Sequence, residues 1–325
     1  MNRLIILFFG FLFSSVSLSA DTSLVQGKGK FVINDKLLNK PMNVYYYQPS
    51  NLTKQSALIV VFHGLLRNAD EYRDKWVKLA EENSFMILAP EISANTYPGM
   101  NGYNLGNVMA AKDQFIQKDK KFWSFQLVDQ VIDHYANNIV QSNEHDSVVI
   151  GHSAGCQFTH RMMMLMPPKK ADLIICSAAG WYTMPDREAA WPYGIKEISN
   201  LVGDDQLKQS FGAPYLLMVG EKDNSRVTRT LRRTPEAMKQ GRQRVERAKN
   251  YFEYNKALAK KLDTDFNWQF RIAANVSHAS SGVAKFAANS INTFLETGAL
   301  PEQQALSKKV DVNKRRPDFD DMDEF

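Results

Sequence analysis

Short apolar runs alternate along the chain with longer segments in which apolar residues recur at helical spacing. The continuous apolar runs predict strands buried on both faces, and they cover residues 57–62, 85–88, 148–150, 173–176, 215–219 and 268–273. Helical spacing predicts helices over residues 68–83, 122–139, 158–166, 242–262 and 284–295. Two earlier segments, 30–33 and 42–47, are typical of antiparallel strands. This alternation predicts an α/β fold with a doubly wound, mostly parallel sheet.

The two ends of the chain differ from this central pattern. Residues 1–20 have a short basic start, an apolar run and a small polar end at Ala20, which is the layout of a secretory signal peptide. We expect cleavage after Ala20, and an uncleaved N-terminal anchor is the alternative. Residues 301–325 are rich in charge and poor in apolar side chains, so we expect a disordered tail. Residues 21–300 are then one catalytic domain, secreted or periplasmic.

Composition narrows the function classes further. Of the 325 residues, 44% are hydrophobic and 23% are charged, which is ordinary for a globular protein. The net charge of +5 is small and its basic residues are spread along the chain, so we expect no nucleic-acid partner. After the signal segment no apolar stretch is long enough to span a bilayer. No phosphate loop or dinucleotide motif is present, so we expect no cofactor.

A nucleophile motif follows the strand predicted at 148–150. The segment Gly151-His152-Ser153-Ala154-Gly155 reads G-x-S-x-G and precedes a predicted helix. A nucleophile elbow needs this strand–turn–helix context, because the glycines give the backbone clearance and the serine hydroxyl then projects above the sheet edge. We therefore predict that Ser153 is the nucleophile and that the backbone N–H of Ala154 stabilises an oxyanion.

The serine needs a base, and the base needs an orienting carboxylate. Among the six histidines, His278 follows the last predicted strand, on the same sheet edge as the elbow. Asp223 follows the strand at 215–219, and it gives the chain order serine, aspartate, histidine that this fold requires. Glu221 is the rival carboxylate. We expect Leu65 to supply a second oxyanion N–H from the loop after residues 57–62, with His63 bracing that loop.

The sequence gives weaker evidence on the pairing of the two cysteines and on a metal site. Cys156 and Cys176 fall in a predicted helix and a predicted strand. Two buried thiols are the favoured interpretation and a disulfide the alternative, since sequence does not set the Cα distance. Cys156 and His160 lie four residues apart on one helix, but no further ligands are nearby in sequence, so we expect no metal.

Several motifs together resemble a known family. They are Phe62-His63-Gly64, Arg67 to Tyr72, the elbow, Trp181 to Asp186, Pro192-Tyr193-Gly194 and Leu231 to Glu236. These stretches are similar to the α/β-hydrolases grouped with polyhydroxybutyrate depolymerases, to which feruloyl and acetylxylan esterases are related. The resemblance covers about residues 57–295 and implies the α/β-hydrolase fold.

These observations predict an exported serine esterase that forms an acyl-enzyme on Ser153. Its substrate is a small or polymeric carboxylic ester, and amides and thioesters stay open. The alternatives are a polyhydroxyalkanoate depolymerase and a catalytically silent binding protein. Two irregular segments, 93–121 and 181–205, interrupt the strand–helix rhythm, as functional loops do. The second is dense in aromatic residues, and we expect substrate contacts from Trp181, Tyr182, Trp191 and Tyr193.

Overall fold

The computed structural model describes residues 24–110 and 113–300. The predicted signal segment and the predicted charged tail lie outside these residues. Among the helices within these ranges, none has both the length and the apolar character needed to cross a membrane.

Strands and helices alternate along the described residues. The strands are β1 Gly27–Asp35, β2 Lys40–Gln48, β3 Leu58–Phe62, β4 Met86–Pro90, β5 Met109–Ala110, β6 Asp113–Gln117, β7 Ser147–His152, β8 Leu173–Ser177, β9 Tyr215–Gly220 and β10 Trp268–Ala273. The helices are α1 Ala69–Asp74, α2 Val77–Asn83, α3 Gly99–Gly102, α4 Leu127–His134, α5 Ala154–Leu165, α6 Asp204–Gly212, α7 Pro235–Gln240, α8 Arg244–Lys261 and α9 Ser280–Thr297.

One mostly parallel sheet organises the molecule. Its order, within the described residues, is β1-β2-β4-β3-β7-β8-β9-β10. The pairs β1–β2 and β2–β4 are antiparallel, and every later pair is parallel. This confirms the doubly wound fold class predicted from the sequence. The carboxyl ends of β3, β7, β8, β9 and β10 therefore meet at one edge, where such folds bind their ligands.

Two apolar layers cover the two faces of this sheet. The larger packs α4, α5, α6 and α8 against one face, and the smaller packs α1, α2 and α9 against the other. All five residues of β3 and all six of β7 are buried. A strand buried on both faces has no polar side to present, which is why these segments read as continuous apolar runs.

Two predicted helices, and one segment without a predicted helix, differ from the structure. The helix expected over 68–83 is two helices, α1 and α2, because the Trp76 N–H bonds to Arg73 O three residues back and tightens the turn. The segment 122–139 has α4 at its centre, with 3₁₀ turns before it and a π turn after it. Helix α6 occupies a segment where no helix was predicted, since its buried apolar side chains are only Leu207 and Phe211.

Candidate active site

The turn between β7 and α5 holds Ser153 in an unusual backbone conformation. Its φ is 53° and its ψ is −109°, which is costly for a residue with a side chain. A Cβ on Gly151 would lie 2.3 Å from Gly155 O, and one on Gly155 would lie 2.4 Å from Phe62 O. Both positions therefore require glycine. The Ser153 N–H donates to Ser177 O at 2.9 Å, which ties the turn to the end of β8.

The structure brings Ser153, His278 and Asp223 together. His278 Nε2 lies 3.2 Å from Ser153 Oγ. His278 Nδ1 lies 2.7 Å from Asp223 Oδ2. Because the carboxylate can only accept, Nδ1 carries the proton and Nε2 is free to accept from the serine hydroxyl. The side chains of His278 and Asp223 are both buried, so this geometry is shielded from water.

Arg244 contacts the second oxygen of Asp223, and no motif in the sequence indicates this contact. Its Nη1 lies 3.0 Å from Asp223 Oδ1, and its Nη2 donates to Thr230 Oγ1 at 2.8 Å. Burial alone would raise the pKa of Asp223, but the charges and hydrogen bonds of His278 and Arg244 outweigh it and hold that pKa well below its usual range. Asp223 is therefore ionised at neutral pH.

His152, inside the elbow, supports the loop that carries His278. Its Nε2 lies 2.8 Å from the backbone oxygen of His278, and its Nδ1 lies 2.9 Å from Ser177 Oγ. A carbonyl can only accept, so Nε2 carries the proton and Nδ1 accepts from the serine hydroxyl. Burial, with the nearby His278, lowers the pKa of His152 well below its usual value. A neutral His152 thus fixes the backbone position of His278.

Glu221, the rival carboxylate, has a different position. Its Oε2 accepts from the Asn275 N–H at 2.8 Å, on the loop between β10 and His278. His278 contacts Asp223 instead. Glu221 therefore stabilises the loop that precedes His278 and is not the carboxylate that contacts its ring.

The loop after β3 is held by His63. Its Nε2 accepts from the Ile92 N–H at 3.1 Å, so its Nδ1 carries the proton and donates to Gly64 O at 3.1 Å. Burial lowers the pKa of His63 to about 3 and keeps it neutral. A Cβ on Gly64 would lie 2.5 Å from the Tyr72 hydroxyl, so glycine is needed here. His63 braces the loop and does not contact Ser153.

The two predicted oxyanion donors are positioned after β3 and after β7. Leu65 follows the fixed His63–Gly64 turn, and Ala154 is the first residue of α5. Within the described residues, neither backbone N–H donates to a protein acceptor. The N-terminal end of α5 also carries the positive end of the helix dipole. Stabilisation of an oxyanion by these two N–H groups stays a prediction.

Cys156 and Cys176 form a disulfide, so the favoured expectation of two free thiols was wrong. Their Cα atoms are 4.5 Å apart. The pairing of β7 with β8 and the packing of α5 over β8 set this distance, and neither can be read from the spacing of the cysteines. His160 is not a metal ligand partner of Cys156: its Nδ1 bonds to Cys156 O and its Nε2 accepts from the Thr183 N–H. No cluster of three potential metal ligands occurs in the described part of the chain.

The four aromatic residues predicted to contact substrate have unequal environments. Tyr182 is fully buried and stacks on Tyr251 with ring centroids 4.4 Å apart. This gives Tyr182 a packing role in the core. Trp181 and Trp191 are also largely buried, whereas Tyr193 is half-buried, and its ring lies 4.7 Å from that of Trp181. Substrate contact stays a prediction for Trp181, Trp191 and Tyr193.

Comparison with known proteins finds relatives among solved structures. A scan against protein-family models and a search of curated proteins both find no match. Poly(aspartic acid) hydrolase-1 from Sphingomonas sp. KT-1 is 32% identical, with a TM-score of 0.76, over 82% of this chain and 98% of that one. The LpqC poly(3-hydroxybutyrate) depolymerase from Bordetella parapertussis is 27% identical, with a TM-score of 0.75, over 86% of this chain and 93% of that one.

A more distant structure shares the fold alone. The S-formylglutathione hydrolase from Agrobacterium tumefaciens is 12% identical, with a TM-score of 0.55, over 84% of this chain and 97% of that one. The similarity to the first two structures extends over nearly their whole length.

Proposed function

The chain is a hydrolase of the α/β-hydrolase family, in the branch of the polyhydroxybutyrate depolymerases, and we propose that it cleaves carboxylic esters through an acyl-enzyme on Ser153. One observation supports this proposal above all others. Ser153 Oγ, His278 and Asp223 form a continuous line of contacts of 3.2 Å and 2.7 Å. This arrangement turns a weakly nucleophilic hydroxyl into a nucleophile.

In the first half of the reaction, Ser153 Oγ attacks the ester carbonyl carbon while His278 Nε2 takes the hydroxyl proton. The carbonyl π electrons move onto the oxygen, and the N–H groups of Ala154 and Leu65 donate to it. Collapse of this tetrahedral intermediate breaks the bond to the alcohol oxygen. The alcohol leaves with the proton from His278, and the acyl group stays on Ser153.

In the second half, His278 takes a proton from a water molecule, whose oxygen attacks the acyl carbon. Collapse returns that proton to Ser153 Oγ and releases the carboxylic acid. Asp223 keeps His278 in the tautomer that accepts at Nε2 in both halves. Arg244 holds the other oxygen of Asp223, so the carboxylate cannot rotate away from the imidazole.

A panel of p-nitrophenyl acetate, butyrate and octanoate tests this proposal. Ser153→Ala should lower kcat by about 10³-fold or more. Ser142→Ala is the matched control, because the Ser142 hydroxyl accepts from the Glu144 N–H on another loop. Near-normal turnover by Ser153→Ala contradicts the proposal. Absence of turnover together with no fluorophosphonate labelling of Ser153 favours a silent binding protein instead.

Polymer hydrolysis is a second candidate, because the two relatives from this branch are named for polymers. One is a poly(aspartic acid) hydrolase and the other a poly(3-hydroxybutyrate) depolymerase. Release of soluble acid from a polyhydroxybutyrate film, or shortening of poly(aspartic acid), at a rate that Ser153→Ala abolishes would support it. Hydrolysis restricted to the small esters would exclude it.

We also propose that the protein is exported. The three-part layout of residues 1–20 supports this. The mature N-terminus should lie at or near Asp21, and activity should be found in the periplasm or medium. N-terminal sequencing that finds Met1 on protein from the cytosol would refute export without affecting the proposed chemistry.

A further inference from the structure

Three arginine side chains meet around Trp181, close to the candidate active site. The guanidinium carbon of Arg161 lies 4.3 Å from the centroid of the Trp181 ring, and that of Arg232 lies 5.1 Å from it. Arg247 joins the same group, since its Nη1 donates to Gly180 O and its Nη2 to Arg232 O. We name Arg161, Arg232 and Arg247 the arginine cluster. It brings three positive charges into a small, largely dehydrated volume.

Arg161 is fully buried and lacks a counter-charge. It donates to Thr183 Oγ1 at 2.8 Å, to Gln157 O at 2.6 Å and to Asn104 O at 3.1 Å. Its Nη2 has no acceptor. Burial, and then the nearby charge of Arg232, lower the pKa of Arg161 to about 9. It therefore stays protonated at neutral pH, and its hydrogen bonds and the Trp181 ring offset only part of the cost of burying its charge.

Arg232 is the member of the arginine cluster that reaches solvent. It is half-buried, and its Nε donates to the Tyr193 hydroxyl. Its Nη1 lies 3.8 Å from Met100 Sδ, a weak acceptor. Its Nη2 has no acceptor within the described residues. The Nε edge of the Arg232 guanidinium is thus held by Tyr193, while the edge formed by Nη1 and Nη2 still has N–H groups that can donate.

The carboxylates of Asp223 and Glu246 have hydrogen-bond partners outside the arginine cluster, and the nearby charge of Glu246 stabilises that of Arg247. Asp223 is engaged by Arg244 and His278, and Glu246 accepts from the Arg242 N–H. Across residues 24–110 and 113–300, no ion pair includes a member of the cluster. Buried charges are normally paired, because removing a charge from water without a partner is strongly unfavourable. A site that keeps such a charge unpaired is suited to an anionic ligand.

The arginine cluster lies on the same sheet edge as Ser153. Arg161 is eight residues after Ser153 on α5, or roughly 12 Å along the helix axis. Its guanidinium points back toward the start of the helix and bonds to Gln157 O, which is roughly 6 Å along the axis from Ser153. Trp181 follows the end of β8, where Ser177 O accepts from the Ser153 N–H. Gln157 and the end of β8 thus connect the arginine cluster to the turn that holds Ser153.

We propose that the free edge of Arg232, backed by Arg161 behind the Trp181 ring, binds a carboxylate of the substrate. The proposal rests on the proposed function of Ser153 and narrows its substrate class to esters that carry a carboxylate near the scissile bond. A guanidinium presents paired N–H groups that match a carboxylate. Arg161 raises the positive potential at this position without touching the ligand.

The test compares charged and neutral esters in matched pairs. One series pairs mono-p-nitrophenyl esters of succinate to sebacate with the alkanoates of equal chain length, and places the carboxylate on the acyl side. A second series pairs 4-carboxyphenyl butyrate with phenyl butyrate and places it on the alcohol side. The quantity measured is the ratio of kcat/KM for the charged ester to that for the neutral ester. A change in folding or in the active fraction cancels from this ratio.

Two variants with the same loss of charge decide the matter. The wild-type ratio should exceed unity in at least one series, and Arg232→Gln should lower it about tenfold, as expected for a charge-assisted hydrogen bond. Arg233→Gln is the control, because Arg233 is the next residue and is exposed, so it should keep the wild-type ratio. A wild type without preference in both series overturns the proposal. The proposal is also overturned if the wild type and both variants have the same ratio of kcat/KM, or if both variants lower this ratio equally.

A binding measurement separates failure of this site from failure of the proposed function. If the wild type cleaves none of the esters, the proposed function fails, and calorimetric titration of sebacate into the intact proteins tests the site alone. Binding to wild type and Arg233→Gln that is weakened at least about tenfold in Arg232→Gln supports the site. Absence of binding to the wild type, or equal binding to all three proteins, overturns it.

Discussion

The guanidinium of Arg244 and the carboxylate of Asp223 form a buried ion pair, with Nη1 3.0 Å from Oδ1 and each side chain 2% exposed. The other carboxylate oxygen, Oδ2, faces His278. Asp223 therefore has a fixed orientation and a fixed charge. Arg244 acts on the reaction through Asp223, as a positioning residue, since it does not reach Ser153 or its base.

Arg244→Met should weaken both stability and acid tolerance. Removing one partner of a buried pair costs about 3 kcal/mol or more of the free energy of unfolding. Burial then raises the pKa of Asp223 with one fewer charge to oppose it, so the carboxylate becomes protonated at a higher pH than in the wild type. The ratio of kcat at about pH 5 to kcat at about pH 8 should therefore be lower in the variant than in the wild type. An unchanged pH profile would make Arg244 merely structural.

Asp223→Asn should lower kcat by about 10³-fold or more, because an amide stabilises the wrong tautomer of His278 and cannot balance its positive charge. Glu221→Gln is the matched change two residues away. It keeps an oxygen acceptor for the Asn275 N–H, so its kcat should stay within about threefold of the wild type. Steady-state kinetics on one ester measure both effects. If Glu221→Gln lowers kcat more than Asp223→Asn does, Glu221 is the carboxylate that orients His278.

Removal of the disulfide should affect stability more than turnover. Cys156 and Cys176 are 20 positions apart, and closing a loop of this length stabilises a protein by about 3 kcal/mol. The double variant Cys156→Ala/Cys176→Ala should show that loss in urea unfolding. The wild type treated with a reductant under denaturing conditions is the parallel measurement. If neither the double variant nor reduction moves the unfolding midpoint, the bridge is absent from the folded protein.

Stability should fall as the pH is lowered below neutrality. Burial lowers the pKa of His63 to about 3, and burial lowers the pKa values of His152 and His160 well below the usual range. The unfolded chain takes up these protons near about pH 6.5, whereas the folded chain does not, so their contribution is complete above that pH and is lost below it. Each histidine adds about 1.4 kcal/mol per pH unit to the slope.

Urea unfolding at several pH values between about 7.5 and 5 measures that slope. In the variant His160→Gln, the free energy of unfolding should change less steeply with pH, by about 1.4 kcal/mol per pH unit. This difference in slope does not depend on the variant's own stability. A free energy of unfolding that does not change over this pH range would show that the three histidines take up protons in the folded protein over the same pH range as in the unfolded chain.

Much of the fold and of the site could be predicted because it depends on local pattern. Strands such as β3 and β7 are apolar throughout, and Ser153 lies in a turn whose glycines are fixed by backbone clearance. Asp223 and His278 follow from the rule that the carboxyl ends of parallel strands share one edge. Chain order then leaves few alternatives.

What the sequence does not reveal depends on which elements pack together. Arg244 is one of 40 basic residues, and only the crossing of α8 over β9 places it against Asp223. Arg161 lies on α5 among apolar neighbours, with no local sign that its charge is unpaired. The disulfide likewise depends on the distance between α5 and β8. These features require the tertiary structure, since no local spacing encodes them.

The most direct test of an acyl-enzyme on Ser153 is the identification of the acylated residue. Wild-type protein is mixed with p-nitrophenyl butyrate, quenched in acid within one turnover and digested for peptide mass analysis. We expect a butyryl group on the peptide that contains Ser153, and none on that peptide in Ser153→Ala. A butyryl group on another residue, or full turnover by Ser153→Ala without any acylated peptide, would contradict it.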